Sequence, residues 1–267
     1  MVLLSFDTEE FDVPRESGVP FTLEQGMDVS RFGTGRILEI LRQHGVRATF
    51  FCTTNFARNA PELMQLILDR GHEVAAHGCD HWQPQPSDVF RSKEILEEIT
   101  GREVLGYRQP RMFPVSDDDI RKAGYLYNSS LNPCFIPGHY NHLRDPRRPF
   151  LRDGVLQIPT AVTPRLRIPL FWLALHNFPL GLYKALAWRT YSYDGHFATY
   201  FHPWEFFPLG DYPEFKVGFI SRNHAGEGME QRLDALITMF RNKGADFGTY
   251  SEFARKELAR LTADGVQ

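Results

Sequence analysis

Short apolar runs alternate with amphipathic segments along the first 130 residues, and this alternation is the strongest constraint on how the chain folds. The apolar runs predict strands at 2–6, 46–51, 72–76, 104–107 and 125–129. Between them, apolar residues at helical spacing predict helices at 31–43, 61–70, 87–100 and 116–123. Three of these helices are followed closely by a glycine stop signal, at Gly45, Gly71 and Gly101. Strands and helices that alternate in this way form βα units, so the sequence predicts an α/β protein with a parallel sheet or barrel.

The second half of the chain departs from this rhythm between residues 131 and 195, where proline, histidine, arginine and asparagine interrupt it. We interpret this stretch as a loop and helix insertion near the functional site. It contains an apolar segment, 168–188, but His176, Pro179 and Lys184 lie within it and would be costly inside a membrane. We expect a helix that is buried, caps the site, binds a lipid carrier or forms a dimer contact. Beyond it, the pattern predicts a strand at Phe197–Phe201, a helix at 229–241 and a strand-like piece at 245–250.

Composition and charge limit what such a chain does. With 267 residues, of which 42% are hydrophobic, the chain suits a single domain over 1–267. The formal net charge of −3 argues against a nucleic-acid partner, which would need a basic surface. The first residues lack the basic and long apolar regions of a signal peptide, which favours the cytoplasm. Three cysteines are too few for a disulfide framework, so we expect buried small side chains at Cys52, Cys79 and Cys134.

Ionisable side chains follow four of the predicted strands. They are Asp7 and Glu9, His77 and His81, Arg108, and His202. Because the carboxyl ends of parallel strands meet at one edge of a sheet or barrel, we expect these side chains to converge. His77 and His81 are four residues apart, so on a helical turn both imidazoles would face one metal ion. One carboxylate could then ligate the metal while the other handles protons, and Arg108 could keep that base ionised.

Other interpretations of these residues stay open. The histidines could lie on the surface, the acidic residues in a solvated loop, and Arg108 in a structural ion pair. A strand that ends in Phe6-Asp7-Thr8-Glu9 is also typical of 3′–5′ exonucleases, but those need further aspartates and a basic channel. A carbohydrate-binding protein without catalytic activity is a further alternative, since aromatic residues make up 13% of the chain.

Four motifs follow one another along the chain: Asp7-x-Glu9, His77-x-x-x-His81, Arg108-Gln109-Pro110-Arg111 and Phe201-His202-Pro203. This order resembles that of the NodB-homology polysaccharide deacetylases, carbohydrate esterase family 4. The segments HEVAAHGCDH, GYRQPRM, YNSS and YFHPWEF are similar, more closely, to the branch of that family associated with bacterial exopolysaccharide clusters. The resemblance implies a distorted (β/α)₇ barrel, a divalent metal ion, commonly zinc, and hydrolysis of an N-acetyl group on a sugar.

The resemblance also implies a role for each motif residue. Asp7 would be the general base, Arg108 the residue that orients it, and His202 the general acid. The metal would be held by Glu9, His77 and His81, with Glu10 as the alternative carboxylate.

On the substrate side, the resemblance implies contacts from Pro110, Arg111 and Trp204, with the backbone N–H of Arg111 donating to the oxyanion. Thr8 stands where the family has an aspartate, Gly78 where it has serine or threonine, and Arg111 where it has a tyrosine. These departures leave the substrate open: an N-acetylated glycan, a lipid-linked sugar, or a different amide such as a cyclic imide or ureide. Nothing in the sequence indicates an oligomeric state.

Overall fold

One curled eight-stranded sheet organises the protein, whose computed structural model describes residues 1–138 and 140–263. The strands in chain order are β1 (Val2–Thr8), β2 (Thr49–Cys52), β3 (Glu73–Ala76), β4 (Gly106–Tyr107), β5 (Tyr127–Asn128), β6 (Phe135–Ile136), β7 (Tyr140–Asn141), β8 (Phe150–Arg152), β9 (Val155–Gln157) and β10 (Phe197–Phe201). Their order across the sheet is β10-β1-β2-β3-β4-β5-β9-β8, and β6 pairs with β7 separately. Only β8 runs antiparallel to its neighbour in the main sheet, so seven strands are parallel.

The two edges of this sheet approach each other. Beyond the end of β9, the N–H of Ala161 donates to the carbonyl oxygen of Ala198 in β10 over 2.7 Å. The chain that follows β9 therefore reaches the strand at the opposite edge, and the sheet curls into a distorted barrel of seven parallel strands. The predicted α/β barrel class is confirmed.

Eleven helices are described over these residues, most of them outside the sheet. They are α1 (Val13–Glu16), α2 (Leu23–His44), α3 (Thr54–Asn59), α4 (Pro61–Asp69), α5 (Asp88–Thr100), α6 (Asp117–Lys122), α7 (Trp172–Asn177), α8 (Leu180–Asp194), α9 (Phe219–Arg222), α10 (Glu227–Asn242) and α11 (Tyr250–Ala263). The longest, α2, begins at a reciprocal capping box between Thr22 and Gln25 and ends at Gly45, whose φ of 60° closes the helix in the left-handed conformation.

The alternation of side chains along β1 separates the core from the functional interior. Val2, Leu4 and Phe6 belong to the large core beneath the helices, whereas Leu3 packs with residues on the other face of the sheet. Because successive side chains of a strand point to opposite faces, Asp7 lies on the face of Leu3, inside the barrel. The strand pattern thus places a carboxylate in the interior at the carboxyl end of β1.

Four differences between the structure and the predicted elements bear most on the architecture. Helix α2 begins eight residues before the predicted start at 31, because its first turns carry polar residues and Gly26, which weaken the helical pattern. Strands β4 and β5 keep only two residues each of the predicted runs 104–107 and 125–129. The stretch 131–195 is not loop and helix alone, since it contributes β8 and β9, which at three residues are too short to show alternation. The piece at 245–250 forms a single bridge between Phe247 and Val2 and then enters α11, which the sequence did not predict.

The cysteines and the apolar segment 168–188 have clear placements. All three cysteines are free, and Cys52 and Cys134 are buried, but Cys79 is partly exposed. The prediction of burial was wrong there because Cys79 lies in the loop beyond β3 rather than in the strand. The apolar segment divides into α7 and α8, which meet at Pro179. No helix in the described part of the chain is long and apolar enough to cross a membrane.

Candidate active site

Two histidines and one carboxylate converge at the carboxyl ends of β1 and β3. The Nε2 atom of His77 lies 3.1 Å from Oε2 of Glu9, and the Nε2 atom of His81 lies 3.2 Å from the same oxygen. One ligand atom from each residue lies within 4.8 Å of the others. The structure therefore brings together the three residues for which the sequence suggested a metal site.

The contact made by Nδ1 of each imidazole limits the positions that protons can occupy in this cluster. Nδ1 of His77 must donate to its partner, because that partner is the carbonyl oxygen of Arg108, at 2.8 Å. In a neutral His77 the Nε2 atom then has a lone pair directed at the Glu9 carboxylate, an arrangement that a metal ion or a shared proton between them stabilises. Nδ1 of His81 lies 2.8 Å from Oδ2 of Asp12, so a carboxylate holds the second ring in place.

The charges around His81 also favour a bound cation. Burial opposes protonation of His81, but Glu9 and Asp12 outweigh it and raise the pKa of His81 to about 9. The group therefore attracts positive charge, and its two imidazoles and one carboxylate are donors that zinc and similar divalent ions accept. The residues fit a divalent metal ion with open positions for water or substrate.

The histidines do not approach each other on a helical turn, which corrects the prediction from their spacing. Residues 77–81 form a loop in which Gly78 has a φ of 70°, a conformation that breaks the helical path. A Cβ at Gly78 would also lie 3.1 Å from Cγ of the buried Pro110. Glycine at this position therefore allows both the turn and the close approach of Pro110, which the sequence assigned to the substrate side.

Glu10 and Asp12 have structural roles in this loop. Glu10 accepts from the side chains of Thr53 and Asn55 and from the N–H of His81, so it is directed away from the ring nitrogens. Of the two carboxylates that the sequence offered, Glu9 is the one at the cluster. Asp12 orients His81, a role that the sequence does not indicate because no spacing rule pairs it with a residue 69 positions away.

Asp7 and Arg108 form a buried ion pair beside the histidines. Nη1 of Arg108 lies 2.5 Å from Oδ1 of Asp7, and the guanidinium also donates to Ser5 and to Ser129. It stacks 3.9 Å above the ring of Phe51. Burial favours the neutral form of Asp7, but Arg108, with smaller contributions from nearby histidines, outweighs burial and lowers the pKa of Asp7. Asp7 is thus a carboxylate held ionised in a site almost closed to water.

His202 follows β10, and aromatic rings surround it. Trp204 stacks on it with ring centroids 5.0 Å apart, while Tyr200 and Trp172 meet it edge-on. Nδ1 of His202 lies 2.8 Å from Oε1 of Glu205, and Nε2 makes no hydrogen bond within the described chain. Trp204 is 4% exposed, and its ring supports one face of His202. Burial disfavours the charged ring, but Glu205, Glu9 and Asp7 outweigh it and raise the pKa of His202.

Arg111 has an unusual backbone at the rim of the site. Its φ is 58° and that of Met112 is 52°, two consecutive left-handed residues that are not glycine. Within the described residues, no hydrogen bond engages the Arg111 N–H. The Arg111 side chain is occupied elsewhere, since its guanidinium pairs with Asp12 and Glu16. The backbone, not the side chain, is therefore the part of Arg111 that remains available to a ligand.

Comparison with known proteins gives these residues a family context. Residues 12–125 match the family model of the polysaccharide deacetylases. The chain is 30% identical over 121 residues to a peptidoglycan deacetylase of Helicobacter pylori, covering 42% of this chain and 41% of that protein. It is 39% identical over 103 residues to a chitooligosaccharide deacetylase of a Bradyrhizobium species, covering 39% and 45% of the two chains. The matches support the polysaccharide deacetylase family.

The fold agrees with this family beyond the matched segment. A solved structure from Mycobacterium smegmatis, classed with the polysaccharide deacetylases, superposes with a TM-score of 0.64 at 20% identity, covering 97% of this chain and 90% of that one. The chain spans less than half the length of each of these two curated relatives. The segment matched by the family model contains His77, His81 and Arg108 but neither Asp7 nor His202, which the fold brings to the same place.

Proposed function

We propose that the protein is a metal-dependent hydrolase that removes an N-acetyl group from a glycan or a lipid-linked sugar. The observation that carries this proposal is the convergence of two imidazole Nε2 atoms on one oxygen of Glu9, beside a buried ionised Asp7. Amide hydrolysis needs an activated water, a base for its proton and an acid for the departing amine. The interior end of the barrel offers residues for each task.

Glu9, His77 and His81 would hold the divalent ion, for which zinc is the first candidate because the family commonly uses it. When bound, such an ion lowers the pKa of a water and polarises the acyl oxygen. Asp7 takes the proton of the attacking water at its carboxylate, and Arg108 keeps that carboxylate oriented and ionised between turnovers.

Arg111 and His202 would stabilise the oxyanion and protonate the departing amine. The backbone N–H of Arg111 donates to the oxyanion as the acyl carbon becomes tetrahedral. His202, charged and held by Glu205 through Nδ1, gives the proton on Nε2 to the amine, which cannot depart as an anion. Pro110 shapes the wall beside Arg111, and we assign Trp204 to the support of His202 rather than to substrate contact.

The substrate class rests on the relatives. The matched proteins are deacetylases of peptidoglycan and of chitooligosaccharides, which supports an N-acetylated sugar as the substrate of this chain. The YFHPWEF and GYRQPRM segments support the further proposal that the sugar belongs to exopolysaccharide synthesis. A structural likeness alone does not select the substrate, because the fold also serves an allantoinase, whose structure superposes with a TM-score of 0.65 at 14% identity.

The metal assignment is tested with His77→Ala. We expect zinc content per chain, measured after dialysis against a weak chelator, to fall strongly in this variant. The matched control is His142→Ala, which removes an exposed histidine paired with an acid outside the site. Zinc retained in full by His77→Ala would refute the metal site.

The catalytic assignment is tested with Asp7→Asn. This variant should keep its metal and lose acetate release from N-acetylated oligosaccharides by roughly 10²–10⁴. Unchanged turnover would remove Asp7 from the mechanism. Zinc binding by the wild type without acetate release would favour a carbohydrate-binding role, and hydrolysis of a cyclic imide or ureide instead would place the substrate outside the sugars.

A further inference from the structure

Two buried side chains, Glu205 and His176, continue a chain of hydrogen bonds behind His202. Oε1 of Glu205 meets Nδ1 of His202 at 2.8 Å and also accepts from the backbone N–H of His202. Its other oxygen, Oε2, lies 3.0 Å from Nε2 of His176. The side chains of His176 and Glu205 are both 0% exposed. Glu205 lies in the YFHPWEF segment without a role assigned from the sequence, and His176 lies outside the four motifs.

The partners of His176 determine how many protons this chain holds. Nδ1 of His176 lies 2.5 Å from the carbonyl oxygen of Asn223, which can only accept, so Nδ1 carries a proton. The contact between Nε2 and Oε2 of Glu205 needs a second proton, on either atom, since a lone pair would otherwise face a carboxylate oxygen. The His176–Glu205 pair therefore holds one proton more than a neutral imidazole and a carboxylate would.

The fold holds this arrangement rigidly. Glu205 lies in the short 3₁₀ helix Pro203–Phe206, and its backbone carbonyl accepts from Gly226 over 2.8 Å. His176 lies at the end of α7, within the stretch 131–195. The ring of Trp172 meets both His176 and His202 edge-on, with centroids 5.9 and 5.6 Å away. The surroundings of His202 thus depend on the stretch 131–195, which the sequence pattern predicts to be an insertion.

We propose that Glu205 and His176 are positioning residues for the general acid. Glu205 fixes the His202 ring so that Nε2 faces the site, and His176 supplies the charge balance that keeps Glu205 stable in a closed interior. The inference rests on the proposed function, because it gives His202 the role of acid. The other charged side chains acting on His202 are Asp7 and Glu9 of the β1 end.

A pair of near-isosteric substitutions separates charge from packing. In Glu205→Gln the amide oxygen still accepts from His202, and the amide nitrogen donates to a neutral His176, so every hydrogen bond is kept while the carboxylate is lost. In His176→Gln the carboxylate stays and the extra proton of the pair is lost. A charge role predicts opposite changes at His202, because the first variant removes the carboxylate in contact with its ring and the second removes the proton that offsets this carboxylate.

The decisive measurement is the titration of the His202 ring by NMR in protein supplied with Zn²⁺, the signal being assigned by its loss in His202→Ala. Relative to wild type, Glu205→Gln should lower the pH at which the ring loses its proton, and His176→Gln should raise it. Asp145→Asn is the matched control, since it removes the acid of an exposed His–acid pair of the same three-residue spacing. It should leave the titration of His202 unchanged.

The rate of acetate release tests the catalytic consequence. In Glu205→Gln, kcat should fall roughly tenfold to a hundredfold, with KM unchanged and the alkaline limb of the rate profile moved to lower pH. Shifts in the same direction in both variants, or no shift in either, would overturn the proposal. A wild type that releases no acetate would refute the proposed function instead, while the NMR titration would still decide whether Glu205 and His176 control His202.

Discussion

Gly33 lies where helix α2 crosses the backbone immediately after His202. A Cβ added at Gly33 would lie 1.8 Å from the carbonyl oxygen of Pro203 and 2.5 Å from its carbonyl carbon, whereas ordinary contacts begin at 3.4 Å. Both clashing atoms are backbone, so no change of rotamer relieves them. In a Gly33→Ala variant the helix and the Pro203 segment must therefore move apart.

Two opposing contributions determine how much Gly33→Ala changes the free energy of unfolding. Overpacking a closed interface costs about 1–3 kcal/mol, and a backbone clash belongs at the upper end. Alanine in place of glycine within a helix contributes about 1 kcal/mol in the other direction. Gly33→Ala should therefore lose about 2 kcal/mol of unfolding free energy. Gly35 lies on the same helix with nothing within 4 Å of an added Cβ, so Gly35→Ala should gain about 0.5–1 kcal/mol.

Urea denaturation followed by circular dichroism would measure both variants, with equal slopes confirming that the unfolded states are comparable. Acetate release provides a second readout. Because Pro203 follows His202 directly, Gly33→Ala should displace the ring and lower kcat roughly 10²-fold, while Gly35→Ala should keep it. Equal stability of the two alanine variants would refute the idea that the helix contacts this backbone so closely.

Three further predictions concern titration and buried charge. Burial, with two nearby arginines, lowers the pKa of His72 to about 4 from 6.5. Above pH 6.5 His72 is neutral in both the folded and the unfolded chain. As the pH falls from 6.5 to about 4, the unfolded chain binds a proton on His72 that the folded chain does not. Urea denaturation should therefore show a loss of about 3 kcal/mol, absent in His72→Asn. Arg108→Met leaves the buried Asp7 without its counter-charge, so the variant should lose about 3–5 kcal/mol of unfolding free energy at neutral pH. Thermal unfolding should show that the stability difference from wild type becomes smaller at acidic pH. A difference that stays constant with pH would contradict this prediction. Burial raises the pKa of Cys79 and Cys134 to about 11, so intact mass should show that folded protein near neutral pH reacts with iodoacetamide much more slowly than free cysteine does. Labelling as fast as that of free cysteine would contradict the raised pKa values.

Much of the framework follows from short-range patterns in the sequence. The alternation of strands and helices predicts the parallel sheet, and strand-end positions predict that Asp7, Glu9, His77 and His81 meet. These inferences succeed because a strand's period and its carboxyl end are local properties. The helical turn predicted for the two histidines fails for a local reason as well, since Gly78 adopts a conformation that a spacing rule ignores.

The remaining features depend on contacts between distant segments. His176 and Glu205 are 29 residues apart, and Asp12 and His81 are separated by 69. No periodicity relates such pairs, and each residue alone is typical of an apolar segment or a solvated loop. Helix α11 has apolar residues at helical spacing, which could have identified it from the sequence.

Arg108 joins the two halves of the site through its own covalent structure. Its carbonyl oxygen accepts from Nδ1 of His77 and its guanidinium donates to Asp7, so one residue sets the distance between a histidine of the candidate metal cluster and the buried carboxylate. The two contacts differ in their tolerance of mutation. Every amino acid has the backbone carbonyl, whereas only arginine has the planar guanidinium group. A substitution at position 108 should therefore change the surroundings of the Asp7 carboxylate while the backbone contact to His77 stays in place.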